Sequence, residues 1–215
     1  MPNKCIIVGC GAHASAVISV VENSDTGLAI TGLIDVADTF DPAERRCGYP
    51  VIGTLNELID PAFGHSYDCC VIAIGENQVR AQTFSALSNA GIDLPNIISR
   101  SAFVDRTVIM GRANVVMHGV TINAEVEIGS NNLINNHALV EHHSQLGENV
   151  HIGPRATLCG KVTVGDGVFL GAGSTVVPGV SVAEGVTLGA GSLLLHEAMY
   201  SHSVYIGSPA KKRNS

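Results

Sequence analysis

Between Asn135 and His151 the chain reads NNHALVEHHSQLGENVH, a stretch holding four of its nine histidines: His137, His142, His143 and His151. Imidazoles at this density could ligate a transition metal. Alternatively, one of them could take a proton near neutral pH while its neighbours orient it. A second chemically loaded stretch is GCGAHA, in which Gly9, Gly11, Ala12 and His13 form a G-x-G-x-x-A turn after an apolar run, with Asp35 at the end of the next apolar run. Such a turn presents backbone N–H groups and a helix N-terminus to phosphates, and the acidic residue suits a ribose or base. It also meets the simpler need of packing a strand against a helix. A third feature is Lys211, Lys212 and Arg213, the densest basic cluster in a chain of net charge -7. It suits either a phosphate contact or a solvated tail.

The histidine stretch sits inside a repeat. Cut every six residues from Ala102 to Pro209, the chain yields eighteen hexapeptides without an insertion, among them VEIGSN, ALVEHH, VHIGPR and VTVGDG. The third position is Val, Ile, Leu or Met in every one except at Tyr200, the first is always Val, Ala, Ser or Asn, and glycine recurs at the fourth and sixth. Neither a 3.6-residue helical period nor simple alternation accounts for this pattern, whereas a parallel β-helix does. Each hexapeptide is then a short strand and a turn, and three close one triangular coil. Third-position aliphatics fill the interior, and first-position residues must be small to sit at an inner corner. Residues eighteen apart stack: Asn114 on Asn132, Ala138 on Ala156, and Val150 on Val168 and Val186. The frame disperses the histidines. His137 and His143 are sixth-position residues at different corners, His142 is a fifth-position residue at a turn, and His151 is a second-position residue facing outward.

The first hundred residues alternate differently. KCIIV reads as a buried strand, with a helix from about Ala14 to the polar NSDTG. LAITGLID is a second strand ending at Asp35, and Val36–Tyr49 is polar and loop-like. TLNELID is a short helix, YDCCVIAIG a third strand, and ENQVRAQTFSALSNAG a long helix ending at Gly91. Alternating strands and helices predict a small parallel α/β sheet of Rossmann-like type. The expected organisation is an α/β domain over 1–101, a β-helix over 102–209 and a tail over 210–215.

Composition agrees. The chain is 46 % hydrophobic but 4 % aromatic, has no Trp and has 24 Gly, which suits a repetitive aliphatic core with tight turns. The acidic net charge argues against nucleic acid or an anionic membrane surface as partner. Six cysteines without a C-x-x-C pair, and no secretory leader ahead of CIIV, predict reduced thiols and a cytoplasmic location.

The order of parts resembles the bacterial nucleotide-sugar N-acetyltransferases, relatives of the sialic-acid O-acetyltransferases. The matching pieces are GCGAHASAV, LID, GYPVIGT, AIGENQVR, INNHALVEHHSQLGENVHIGPRA and IGSPAKK. The resemblance implies a left-handed β-helix, an exception to right-handed crossovers, and a homotrimer with acetyl-CoA in clefts between subunits. It implies acetylation of the amine of a nucleotide-linked 4-amino-4,6-dideoxy sugar for a surface glycan, with no metal. His142 falls on the family's base, Asn135 on its asparagine seven residues earlier, and His151 on the histidine near the thioester. Where the family usually has an acidic residue after the base, this chain has His143, so Glu141 or a backbone carbonyl is left to orient the imidazole. Gly160, one coil beyond His142, could supply an oxyanion donor. The pantetheine arm would pass Ala172 and Ala190, and its phosphates would meet Lys211 and Lys212 beyond the Gly207–Ala210 turn with Pro209. Gly9, Gly11, Ala12, His13 and Asp35 would hold the sugar nucleotide.

Three alternatives remain. A hydroxyl acceptor, as in sialic-acid-like O-acetylation, uses the same parts. A zinc enzyme resembling γ-class carbonic anhydrase would use His137 and His142, five residues apart, with a third histidine two coils upstream, where Ser101 stands. A non-catalytic nucleotide-binding protein would use the β-helix only as scaffold.

Overall fold

The computed structural model describes residues 3–213, which form two compact units dividing between Ile98 and Ser99. In the first unit, β1 (Lys4–Val8) is followed by α1 (Ala12–Glu22), β2 (Ala29–Asp35), β3 (Arg45–Arg46), β4 (Tyr49–Thr54), α2 (Leu55–Leu58), β5 (Cys69–Ile72) and α3 (Asn77–Asn89). The sheet order is β3-β4-β2-β1-β5, parallel except for the β3–β4 pair. The interior strand β1, between β2 and β5, buries Cys5, Ile6, Ile7 and Val8 completely, as the continuous apolar run requires of a strand covered on both faces. Two elements go beyond the sequence reading. GYPVIGT forms β4, paired to β2, and the segment read as loop contributes the two residues of β3. The helix α1 starts at Ala12, two residues before the expected Ala14, so His13 lies in its first turn. Thr54 and Glu57 close a capping box on α2, and the Glu76 carboxylate caps α3 by accepting from the N–H groups of Gln78 and Val79.

The second unit is a parallel β-helix. Thr121 faces Phe103 and Leu139, and Thr157 faces Leu139 and Thr175, each eighteen residues away, and the other two sides of the prism keep the same offset. Third-position Ile122, Val140, Leu158 and Val176 are fully buried in one column, and first-position Val150, Val168 and Val186 in another. Each such side chain contributes about 1.5–3 kcal/mol by leaving water. The internal Asn ladder forms: Asn114 Oδ1 accepts from Asn132 N–H at 2.8 Å, and Asn132 Oδ1 from Val150 N–H at 2.6 Å.

The corners explain the sixth position. From Ala113 to Gly191 every sixth-position residue has φ between 56° and 74°, the left-handed conformation a type II turn needs. From Asn131 to Gly191 its N–H donates to the fifth-position carbonyl one coil back, as Lys161 N–H does to His142 O at 3.0 Å, whereas Gly119 and Glu125 donate to the hydroxyls of Ser101 and Thr107. Glycine adopts this conformation freely, and other residues bear a cost.

The frame does not hold to Pro209. Val204 faces Thr187 and Tyr205 faces Leu188, an offset of seventeen, and Val182 bridges to Ala198, sixteen residues on. Tyr205 takes the interior place at 7 % exposure, while the in-frame Tyr200 and Ile206 are 63 % and 46 % exposed. The last coil is shorter than the others, with Ala198 fully buried beside Val182 and Tyr205 closing the interior column over Leu188. Lys211–Lys212 then return antiparallel to Val204–Ile206 through the Gly207–Ala210 turn, in which the Ser208–Pro209 peptide is cis. The expected tail therefore contains a hairpin strand as far as Lys212, while positions 214–215 lie outside the described residues. Among the described residues no helix is long and apolar enough to cross a membrane.

Candidate active site

The turn after Leu139–Val140 carries Glu141, His142 and His143. One coil on, Gly160 lies under the His142 ring: a Cβ added there would stand 2.8 Å from Cε1 and 2.9 Å from Nε2. The N–H of Gly160 takes no part in the inter-coil ladder, which uses Cys159 N–H and Lys161 N–H on either side of it. The Gly160 backbone therefore stands beside the imidazole, and a side chain there would meet the ring.

The orientation of His142 differs from the expectation. The Glu141 carboxylate accepts from Asn123 Nδ2 at 2.9 Å and from the backbone N–H of His142 at 3.4 Å, so it braces the turn and not the ring. The ring's Nδ1 instead faces Nδ1 of His143 at 3.1 Å, with the two planes at 89°. His143 Nε2 reaches Glu125 Oε2 at 2.8 Å. Glu125 was not among the residues singled out by motif, although the eighteen-residue column passes through it on the way to His143.

Asn135 and His151 meet on a different edge. Asn135 Nδ2 stands 3.4 Å from His151 Nε2, and the His151 ring packs on Phe169 with centroids 4.9 Å apart. Ala172 and Ala190 are exposed fifth-position residues stacked along this same edge, tied by Gly191 N–H to Ala172 O at 2.8 Å. The residues read as one site thus lie along two edges of the prism, His142, Glu141 and Gly160 on one, Asn135, His151, Ala172 and Ala190 on the other. At the C-terminal end, Ala210 N–H donates to Leu193 O at 2.7 Å, and Lys212 Nζ sits 4.1 Å over the Tyr200 ring. Pro209 is exposed in this turn, and Lys211 is exposed in the strand after it.

In the α/β unit Gly9 has φ +111° and its Cα faces Ala73 O, which a Cβ would approach to 2.9 Å. Gly11, at the N-cap of α1, has φ -66° and nothing within 4 Å of where a Cβ would stand, so neither backbone nor neighbours demand glycine there. His13 packs beside Gly75, and burial, with the Arg80 charge second, pushes its pKa down. Arg80, missed in the sequence, is 3 % exposed and donates to the carbonyls of Ile74 and Gly75 and to Asn77 Oδ1, which shapes the turn facing His13. Burial lowers its guanidinium to about 10. Asp35 accepts from Ala37 N–H at 3.0 Å and lies beside the Cys10 thiol, which burial and the Asp35 carboxylate push up to about 12. Cys10, Asp35 and Glu44 bring their ligand atoms within 4.8 Å of one another; among the described residues they are the one such group of three, and it contains no histidine. His137 and His142 turn out on different edges of the prism.

The PglD N-terminal domain family matches residues 4–87, and the bacterial transferase hexapeptide family (six repeats) matches residues 143–178. No curated protein sequence matches the chain. Among solved structures, perosamine N-acetyltransferase from Caulobacter crescentus, as a histidine-to-asparagine mutant in complex with CoA and GDP-perosamine, superposes with a TM-score of 0.89. It is 32 % identical over 99 % of this chain and 97 % of that one. This chain belongs to the nucleotide-sugar N-acetyltransferases built on a left-handed β-helix. The acetyltransferase domain of PglB from Neisseria gonorrhoeae in complex with acetyl coenzyme A superposes with a TM-score of 0.88. Its identity is 27 %, over 99 % of this chain and 100 % of that one. WeeI from Acinetobacter baumannii, 19 % identical, shares the fold with a TM-score of 0.84 over 97 % of this chain and 99 % of that one.

Proposed function

We propose that this chain transfers the acetyl group of acetyl-CoA to the amine of a nucleotide-linked 4-amino-4,6-dideoxy sugar in the cytoplasm. The observation that carries this is similarity along nearly the whole of both chains to an enzyme crystallised with CoA and GDP-perosamine. His142 is the base. The amine nitrogen bonds to the thioester carbonyl carbon, the C=O electron pair moves onto oxygen, and the ammonium proton passes to His142 Nε2. The tetrahedral intermediate then collapses, the C–S bond breaks, and the CoA sulfur takes the proton. A base of this kind supplies about 10²–10⁴ in rate. Gly160 N–H is suited to receive the oxyanion, because Gly160 stands next to the His142 ring and its N–H lies outside the ladder.

The two edges of the prism support a homotrimer, in which the His142 edge of one subunit faces the Asn135–His151 edge of the next and acetyl-CoA lies between them. On this reading CoA passes Ala172 and Ala190 toward Pro209, Lys211 and Lys212. The nucleotide lies on the α/β unit, with its pyrophosphate at Gly9, Gly11, Ala12 and His13 and its ribose or base near Asp35. The open space above Gly11 supports this, since a group outside the chain is what its missing Cβ leaves room for.

The test is an assay of purified protein with acetyl-CoA, a thiol reporter and a panel of GDP-, UDP- and dTDP-linked 4-amino sugars. Thiol release with one of them is expected, and His142→Ala should lower kcat by about 10²–10⁴ with the melting temperature unchanged. No release with any amine acceptor, or near-full turnover in His142→Ala, would sink the assignment. Light scattering coupled to gel filtration should give three times the monomer mass.

A further inference from the structure

We propose that Glu125, acting through His143, is the carboxylate that holds His142 in the tautomer a base requires. The inference rests on the reading of His142 as the base and is carried by three contacts. His142 Nδ1 and His143 Nδ1 are 3.1 Å apart, His143 Nε2 and Glu125 Oε2 are 2.8 Å apart, and Glu141 is occupied by Asn123 and the His142 backbone.

With His143 neutral, the donor and acceptor inventory leaves one arrangement. An ionised carboxylate only accepts, so His143 Nε2 carries the hydrogen that bonds Glu125. A neutral His143 then has a lone pair on Nδ1. Two facing Nδ1 atoms at hydrogen-bond distance share one proton, so it belongs to His142 Nδ1. His142 is therefore left with its lone pair on Nε2, the atom that lies over Gly160. When Nε2 takes the proton of the amine, the imidazolium faces a neutral ring backed by a carboxylate. The carboxylate thus acts on the base across one imidazole and from one coil earlier.

The β-helix makes this geometry dependable. Glu125 and His143 are both sixth-position residues, with φ of 59° and 60°, stacked eighteen residues apart. The N–H of His143 donates to Ala124 O at 3.1 Å, which ties the two corners together. Glu125 and His143 are 63 % and 50 % exposed, so water screens the charge and its effect is well below that of a buried triad carboxylate.

Glu125 and His143 are positioning residues, and the experiment separates that role from a structural one. Glu125→Ala should lower kcat about tenfold while KM for both substrates stays within about twofold, the pattern of an interaction made in the transition state only. His143→Asp places a carboxylate directly beside the base, and adding it to Glu125→Ala should recover at least about half of the lost activity on a logarithmic scale. Nitrogen-15 histidine NMR of the unliganded protein should show His142 protonated on Nδ1, with the Nε2-protonated form growing in Glu125→Ala. Unchanged kcat in Glu125→Ala, failure of His143→Asp to rescue it, or an Nε2-protonated His142 in the parent protein would overturn the proposal. If His142→Ala stays active, the base reading falls while the tautomer measurement stands. If His142→Ala is dead and Glu125→Ala is not impaired, only the relay falls.

Discussion

From Phe103 to Leu194 each β-helix strand faces the next at one offset, eighteen residues, whereas in the α/β unit β1 meets β5 in steady register and meets β2 with a shift between Cys5 and Ile6. In the first region a residue's neighbours follow from its place in the hexapeptide. In the second they follow from contacts between segments far apart in the chain, such as Gly9 with Ala73. The same residue type therefore answers to different causes in the two units, and glycine and alanine substitutions expose the difference.

Among the glycine and alanine substitutions, the largest effect on turnover is expected at Gly160→Ala. Its backbone lies outside the left-handed region, so alanine is tolerated locally, but the new Cβ would meet the end of the His142 ring at 2.8 Å. The ring yields, the fold does not, and kcat should fall about 100-fold, equivalent to about 2.7 kcal/mol, with the melting temperature nearly unchanged. A stable variant with full activity would remove the stacking argument.

In the α/β unit the glycine pair gives the contrast. Gly9→Ala meets a left-handed φ and a backbone carbonyl at once, and should cost about 1–3 kcal/mol in urea unfolding. Gly11→Ala, two residues on, should leave stability within about 0.5 kcal/mol and instead weaken nucleotide-sugar binding, measured by calorimetry. Equal destabilisation by both would mean that the turn serves packing alone.

The smallest effect is a change of sign. Ala81→Gly, inside α3, should cost about 1 kcal/mol through helix propensity. Ala113→Gly, at a corner with φ 60°, should be neutral or stabilising by up to about 1 kcal/mol, because glycine relieves the left-handed strain there. Destabilisation by both would show that the corner tolerates alanine as well as glycine.

Much of the fold was legible because the repeat is local. The aliphatic third positions, the small first positions and the Asn114–Asn132 ladder all follow from counting eighteen. Glu125 was legible in the same way, since it stands one coil before His143, but motif reading looks along the chain and not along the axis. The frame's failure after Leu194 was hidden because Tyr200, the single break in the third-position pattern, looked like a tolerated exception. Only packing shows that Tyr205, and not Tyr200, takes the interior place. In the α/β unit β4 was missed because GYPVIGT is short and carries Pro50 and two glycines, a pattern that reads as turn until pairing with β2 satisfies it.

By itself the sequence determined the two-unit order, the parallel β-helix and its interior columns, because a six-residue period sets each contact by arithmetic within a few tens of residues. It also determined that His142 stands at a corner and out of the core. Tertiary structure alone decided that Nδ1 of that histidine faces His143, that Glu141 braces the turn while Glu125 reaches the ring pair, and that Asn135 meets His151. Those facts depend on side-chain directions and on coils stacked across the axis, which a one-dimensional pattern does not contain.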